Sequence, residues 1–146
     1  MMSNAATAPL FDRLIDEDMD VPFEKTPKMF SSLEEIQTSI MTDLSRLLNT
    51  RVAIFWKNYS DKNALLPFSY GVSVTGVLSA DSVFELQELE SRIEAVIAKF
   101  EPRLLSAKCS IQSIGSDHAS LFVNIDAAMI FENRRRLLSF PIVIDV

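Results

Sequence analysis

Apolar residues recur at spacings of three and four through Leu33, Ile36, Ile40, Leu44, Leu47 and Leu48, and again through Leu86, Leu89, Ile93, Val96, Ile97 and Phe100. Each set puts a single apolar stripe on a helix of 3.6 residues per turn. The spacing predicts helices over 32–49 and 82–100. Ser31 with Glu34, or Ser32 with Glu35, offers a capping box at the first start, and Ser82 with Glu85 offers one at the second. Asn49 suits the left-handed geometry that ends many helices. Pro102 stops the second helix, because the residue before a proline is pushed out of the α region. Glu88 and Arg92 stand at i, i+4 on its wet face.

Past Pro102 the period changes to two. Leu105, Ala107, Cys109 and Ile111 alternate with Ser106, Lys108, Ser110 and Gln112. A turn at Gly115-Ser116-Asp117-His118 leads to Leu121, Val123 and Ile125, which alternate with Phe122, Asn124 and Asp126. Residues 132–136 read as a charged turn, and Ile142, Ile144 and Val146 close the chain in a third strand over 140–146. Strand, turn, strand, turn, strand is an antiparallel meander. The fold class that follows is α+β, with two helices packed on a small antiparallel β-meander as a two-layer sandwich.

The remaining segments are less regular. Residues 1–30 read as a flexible N-terminal arm, leaving 31–146 as the α+β domain. Within the arm, Leu10-Phe11-Asp12-Arg13-Leu14-Ile15 can form a helical turn, while Pro22 and Pro27 break anything longer after acidic Asp16, Glu17, Asp18 and Asp20. Between the helices, Val52-Ala53-Ile54-Phe55-Trp56 suits a short strand or a buried loop, and residues 58–63 a polar turn. Val72 and Val74, between Gly71 and Gly76, give a weak strand signal.

Composition narrows the function. The 146 residues suit one domain, and 48% apolar content supplies a core without covalent staples. A net charge of −6 argues against a protein that tracks nucleic-acid phosphates. One cysteine, Cys109, excludes an internal disulfide, and with the single His118 it provides no zinc cluster. No metal and no cofactor is therefore expected. The start of the chain lacks the charged-then-apolar pattern of a secretory signal, and no apolar run approaches the ~20 residues of a membrane span. The expected location is cytoplasmic.

Few residues carry candidate chemistry, and no catalytic set is expected. Cys109 falls on the apolar side of a strand, where a free cysteine acts as a small hydrophobe. His118 lies in a polar turn without a partner pattern, and Gly71, Gly76 and Gly115 are too scattered for a phosphate loop. A cell-wall glycosidase would need two carboxylates at a set separation, one held protonated by an apolar pocket. Nothing in the sequence selects such a pair. Arg134-Arg135-Arg136 reads either as a solvated turn or as a docking patch.

Glu101-Pro102-Arg103 breaks a local rule. A carboxylate at the negative end of a helix dipole costs about 0.3–1 kcal/mol unless it is paired, and such exceptions gather at functional or strained positions. The tripeptide either makes an internal pair, tying the helix end to the sheet or to Arg51, or presents the planar fork of Arg103 to a partner.

Asp43-Leu44-Ser45-Arg46-Leu47-Leu48-Asn49-Thr50-Arg51, then Tyr70-Gly71, then Phe100-Glu101-Pro102-Arg103-Leu104, with Pro141-Ile142-Val143-Ile144-Asp145 at the end, form an ordered set. Together with Leu10-Phe11-Asp12-Arg13-Leu14, this set resembles the TssE family of type VI secretion baseplate subunits. More broadly it resembles the lysozyme-like baseplate wedge proteins of contractile phage tails. The chain departs from the family in having Val72-Ser73-Val74 after Tyr-Gly, and a longer, more apolar segment before it. The resemblance implies a structural, non-enzymatic role beside TssF, TssG and TssK, with a fold like part of the sheath subunits TssB/TssC and a part in starting sheath assembly. It implies that Glu101, Pro102 and Arg103 bind assembly partners. On that reading Arg103→Ala keeps a native melt but loses co-purification with TssF and TssG.

Overall fold

The computed structural model describes residues 6–7, 29–30, 32–52, 70–72, 83–116 and 119–145. The chain divides into two compact units, Met1–Ile40 and Met41–Val146. In the first, β1 (Ala6–Thr7) pairs antiparallel with β2 (Met29–Phe30), Ala6 opposite Phe30 and Thr7 opposite Met29. Two-residue strands are too short to show a period, so this pair has no signature in the apolar pattern. The rest of the expected 1–30 arm, with its helical turn and its acidic stretch, lies outside the described residues.

Helix α1 (Leu33–Asn49) runs from the first unit into the second. It opens on the second of the two capping boxes considered. The Glu35 N–H donates to Ser32 Oγ at 3.2 Å, and the Ser32 N–H donates to Glu35 Oε2 at 3.3 Å. The expected stripe is inside, with Ile36, Ile40, Leu44, Leu47 and Leu48 all 3% exposed or less. Asn49 departs from expectation, since among the described residues the positive φ values belong to Gly71, Ser106, Glu132 and Asn133. Its side chain instead donates to Ser45 O at 2.9 Å and Val143 O at 3.0 Å, and accepts from the Asp145 N–H at 2.9 Å. One amide thus ties the end of α1 to the final strand.

Helix α2 (Val83–Phe100) buries Leu89, Ile93, Val96 and Ile97. Arg92 Nη2 meets Glu88 Oε1 at 2.9 Å, the expected i, i+4 pair. Each buried aliphatic side chain contributes roughly 1.5–3 kcal/mol, against ~0.2–0.5 kcal/mol for the charge pair. The apolar stripe, not the surface charge, holds α2 in place. Ser82, the expected cap, lies outside the described residues.

The sheet is the expected meander of β3 (Leu105–Ile114), β4 (Ser120–Phe131) and β5 (Arg134–Asp145), antiparallel in the order β3-β4-β5. Leu121, Val123 and Ile125 lie opposite Ile144, Ile142 and Phe140, and Cys109 lies opposite Ile125. All seven side chains are buried, which fixes the inner face. α2 runs against β3 on the helical side. The outer face carries a polar chain: Gln112 Nε2 donates to Ser110 Oγ, Asn124 Nδ2 to Asp126 Oδ1, and Ser139 Oγ to Asn124 Oδ1.

Two expectations fail within the sheet. Leu105 is 41% exposed and Leu104 is buried instead, because the register breaks between Leu105 and Lys108, where Ser106 takes a φ of 53°. An extra residue turns one side chain to the other face, which a strict alternation cannot anticipate. The charged turn is also shorter than residues 132–136. Only Glu132 and Asn133 turn, with φ of 50° and 57°, and Arg134, Arg135 and Arg136 already belong to β5. Two successive positive φ values make the tight hairpin turn that matches strand twist, so pairing continues to Phe131 opposite Arg134.

Of the expected elements between the helices, the apolar run after Val52, the polar turn at 58–63, Val74 and Gly76 lie outside the described residues. Tyr70, Gly71 and Val72 are described. The Val72 N–H donates to Thr50 O at 2.9 Å, and Arg51 bridges Val72 in parallel.

Candidate functional site: an arginine-centred charge cluster

Three separate parts of the chain meet at the end of α2. The Glu101 N–H donates to Ile97 O at 2.8 Å as the last helical bond, and the Leu104 N–H turns back to Glu101 O at 3.2 Å. Pro102 sits exposed at this corner. The turn folds Arg103 back over Glu101: Nε donates to Oε1 at 2.6 Å and Nη2 to Oε2 at 2.5 Å. This is the bidentate fork that a planar guanidinium makes with a carboxylate. Nη2 also donates to Asp43 Oδ2 at 2.6 Å, reaching α1 across 60 residues of sequence. Asp43 in turn faces Arg46 at 3.8 Å.

Glu101 is only 3% exposed, and among the described residues it is the one buried carboxylate. The misplaced charge at the helix end is therefore paired, through an internal bridge to Asp43 rather than to Arg51. Burial alone would lower the Arg103 pKa, but the hydrogen bonds and charges of Glu101, then Asp43, outweigh it and raise it above its ordinary value. The Arg103 guanidinium is thus held in its cationic form by its two carboxylate partners.

Tyr70 completes the cluster. Its ring meets Phe100 edge-on, with centroids 5.4 Å apart and planes at 74°. Partial burial raises the pKa of its hydroxyl, the charges of Asp43 and Glu101 add to the rise, and Arg46 opposes them. Gly71 holds Tyr70 there. Its φ of 126° is closed to most side chains, and a Cβ at this position would lie 2.3 Å from Thr50 O.

The structure thus brings Glu101, Pro102 and Arg103 together with Asp43, Arg46, Tyr70 and Phe100, which the sequence showed only as parts of an ordered set. For Asp43 and Arg46 the local signal available was their i, i+3 spacing on one helix face. The structure also changes what Arg103→Ala should do, because a native melt is not expected when a buried carboxylate loses its counter-ion.

The other candidates lie elsewhere. Arg134, Arg135 and Arg136 are exposed along β5, and His118 lies outside the described residues. Cys109 is 8% exposed on the inner face, and burial, then Glu90 and Glu94, push its thiol up from 9.0 to about 12. The folded state therefore favours the neutral thiol, which yields two expected results. A thiol reagent at pH 8 should modify Cys109 only at the rate of unfolding. The stability contribution should be complete below pH 9 and lost as pH rises from about 9 to about 12. A Cys109→Ala chain melted over the same range checks this, since it lacks that part of the alkaline loss. Among the described residues no group of three His, Cys, Asp or Glu side chains could hold a metal ion.

Residues 34–134 match the family described as Baseplate wedge protein gp25. The chain belongs to the baseplate wedge family. The matched span takes in both helices, the arginine-centred cluster and most of the sheet, so the site lies within the family's own domain. Among solved structures, the wedge-family chain is similar in fold to one from the baseplate complex of the type VI secretion system. The two share 22% identity at a TM-score of 0.52, over 77% of this chain and 97% of that one. It is also similar to a putative tail lysozyme from Geobacter sulfurreducens, with 20% identity, a TM-score of 0.48, and coverage of 82% and 97%. No curated protein matches it. Among the described residues, no helix of this wedge protein is long and apolar enough to cross a membrane.

Proposed function

We propose that this wedge-family protein is a structural, non-enzymatic subunit of a type VI secretion baseplate, acting in the cytoplasm to assemble the wedge and start sheath polymerisation. The observation that carries the reading is the convergence of three chain segments on Arg103, beside an exposed proline, within the domain that the family match covers. The internal pairing shapes the corner and the outer surface of Pro102 and Arg103 meets the wedge partners, here TssF and TssG, with TssK beyond them. The sheath subunits TssB/TssC add a strand to the edge of β5, where backbone groups of an edge strand remain free to pair.

A glycosidase is the less favoured reading. A catalytic acid must be free to hold a proton near a substrate. Both oxygens of Glu101, the one buried carboxylate among the described residues, are instead bonded to Arg103.

Pull-down of TssF and TssG tests the proposal. Pro102→Ala touches no ion pair and should leave the melt unchanged while weakening co-purification. Glu101→Gln/Arg103→Gln removes both charges of the buried pair together, and should lose co-purification while retaining a cooperative melt. Full co-purification by both variants overturns the assignment of this corner to partner binding, and clearing of a peptidoglycan suspension by the pure protein overturns the non-enzymatic role.

A further inference from the structure

The two edges of the β3-β4-β5 sheet are finished differently. Antiparallel strands alternate residues bonded to the neighbouring strand with residues whose backbone groups point away. In β3 the outward residues of the central stretch are Cys109 and Ile111, and both N–H groups are taken by side chains of α2. Cys109 N–H donates to Glu94 Oε1 at 3.0 Å, and Ile111 N–H donates to Glu90 Oε1 at 2.9 Å. The match is geometric. Four residues of helix rise about 6 Å, and two residues of strand about 6.8 Å, so glutamates one turn apart meet successive outward donors.

Two further features point the same way. Lys108, its side chain 77% exposed, holds Glu94 Oε2 at 3.0 Å from the solvent side. Register breaks fall between Leu105 and Lys108 and between Ile111 and Ser113. Residues 108–111 are therefore the regular part of the edge, and both of its outward donors are occupied. On β5, by contrast, Asn49 covers only Val143 O and Asp145 N. By the same alternation Arg135, Leu137 and Ser139 point outward, and among the described residues no side chain caps their backbone groups.

We propose that Glu90 and Glu94 form an edge seal, which keeps β3 from pairing with β3 of a second copy of this chain and leaves the sheet one open edge. The occupant excluded is a second copy because the uncovered segment is self-complementary. An antiparallel pair centred on Ser110 sets the Cys109 N–H of each copy against the Ile111 carbonyl of the other, and the Ile111 N–H against the Cys109 carbonyl. Two donors and two acceptors of each copy are satisfied at once, in the symmetric contact that two-fold dimers use. Unprotected regular edges pair in this way.

Hydrogen exchange and light scattering on the whole chain test the seal. In the wild type the amides of Cys109 and Ile111 should exchange slowly at every concentration, although they stand on an outer edge. In Glu90→Ala/Glu94→Ala they should exchange on the order of tenfold to a hundredfold faster in the monomer, as for loss of a bond to a charged acceptor. The variant should also self-associate as concentration rises, with protection returning at those two amides. Glu90→Gln/Glu94→Gln keeps an acceptor at each position and should behave as the wild type does. The seal is overturned by fast exchange of both amides in the wild type. It is equally overturned by an alanine variant that melts natively yet stays monomeric, or by a glutamine variant that associates as strongly as the alanine one. Should the alanine variant fail to fold, wild-type exchange and the glutamine variant decide the question.

Discussion

Arg103→Ala should lower the melting temperature by roughly 5–10 °C. Removing one partner of a fully buried ion pair costs about 3–5 kcal/mol, because the remaining charge is left without solvent or counter-ion. The Arg103 side chain keeps 24% of its surface exposed while that of Glu101 keeps 4%, so water reaches the pair from one side only. A cost of about 2–3 kcal/mol follows once that access is discounted, and in a chain of this length each kcal/mol moves the melt by roughly 2–4 °C. Arg103→Lys should recover part of the loss, since it restores the charge but not the fork that spans Glu101 and Asp43. Glu101→Gln/Arg103→Gln should melt above Arg103→Ala, because no buried charge is left alone. Calorimetry on the three variants checks the order. A melt of Arg103→Ala within 1 °C of the wild type would show that the bridge does not hold the corner.

Gly71→Ala should be as damaging, for a reason of backbone shape rather than charge. At a φ of 126° an L side chain is strained, and the new Cβ would stand 2.3 Å from the Thr50 carbonyl oxygen, inside any allowed contact. Strain of this kind costs about 1–3 kcal/mol at a single residue, and the displaced carbonyl is the one that accepts from the Val72 N–H at 2.9 Å. A total of about 2–4 kcal/mol follows from strain and the weakened bond together. The change should also swing Tyr70 off the edge of Phe100, weakening the tyrosine signal in near-ultraviolet circular dichroism. An alanine variant with an unchanged melt and an unchanged tyrosine signal would remove Gly71 from the account of the site.

The charge cluster shows why part of the site could be read from sequence and part could not. Glu101 at a helix C-terminus was visible as a conflict with the helix dipole, because that rule is local. Its resolution was not visible, because Asp43 lies 60 residues before Arg103 and contact between them depends on how α1 lies beside the end of α2. Tyr70 stood out only as part of an ordered resemblance, since nothing in Tyr70-Gly71 alone states that the glycine must pass against Thr50. In the sheet, alternation placed Cys109, Val123 and Ile142 inside, yet it misplaced Leu105 and the three arginines. A bulge and a two-residue turn shift the side-chain phase without leaving a periodic trace.

The apolar spacing of the chain determined both helices, the antiparallel meander and most of the buried faces, while the choice between its two capping boxes fell to the structure. These depend on contacts within a few residues or on a period that repeats along one element. Tertiary structure alone decided that Arg103 bridges Glu101 to Asp43, that Asn49 clasps the last strand, and that Glu90 and Glu94 occupy the outer donors of β3. Each of those joins groups from different elements, and hydrogen bonds form only over about 3 Å. A periodic pattern can say which side of a helix or strand faces inward, but not which side chain of another element comes within that reach.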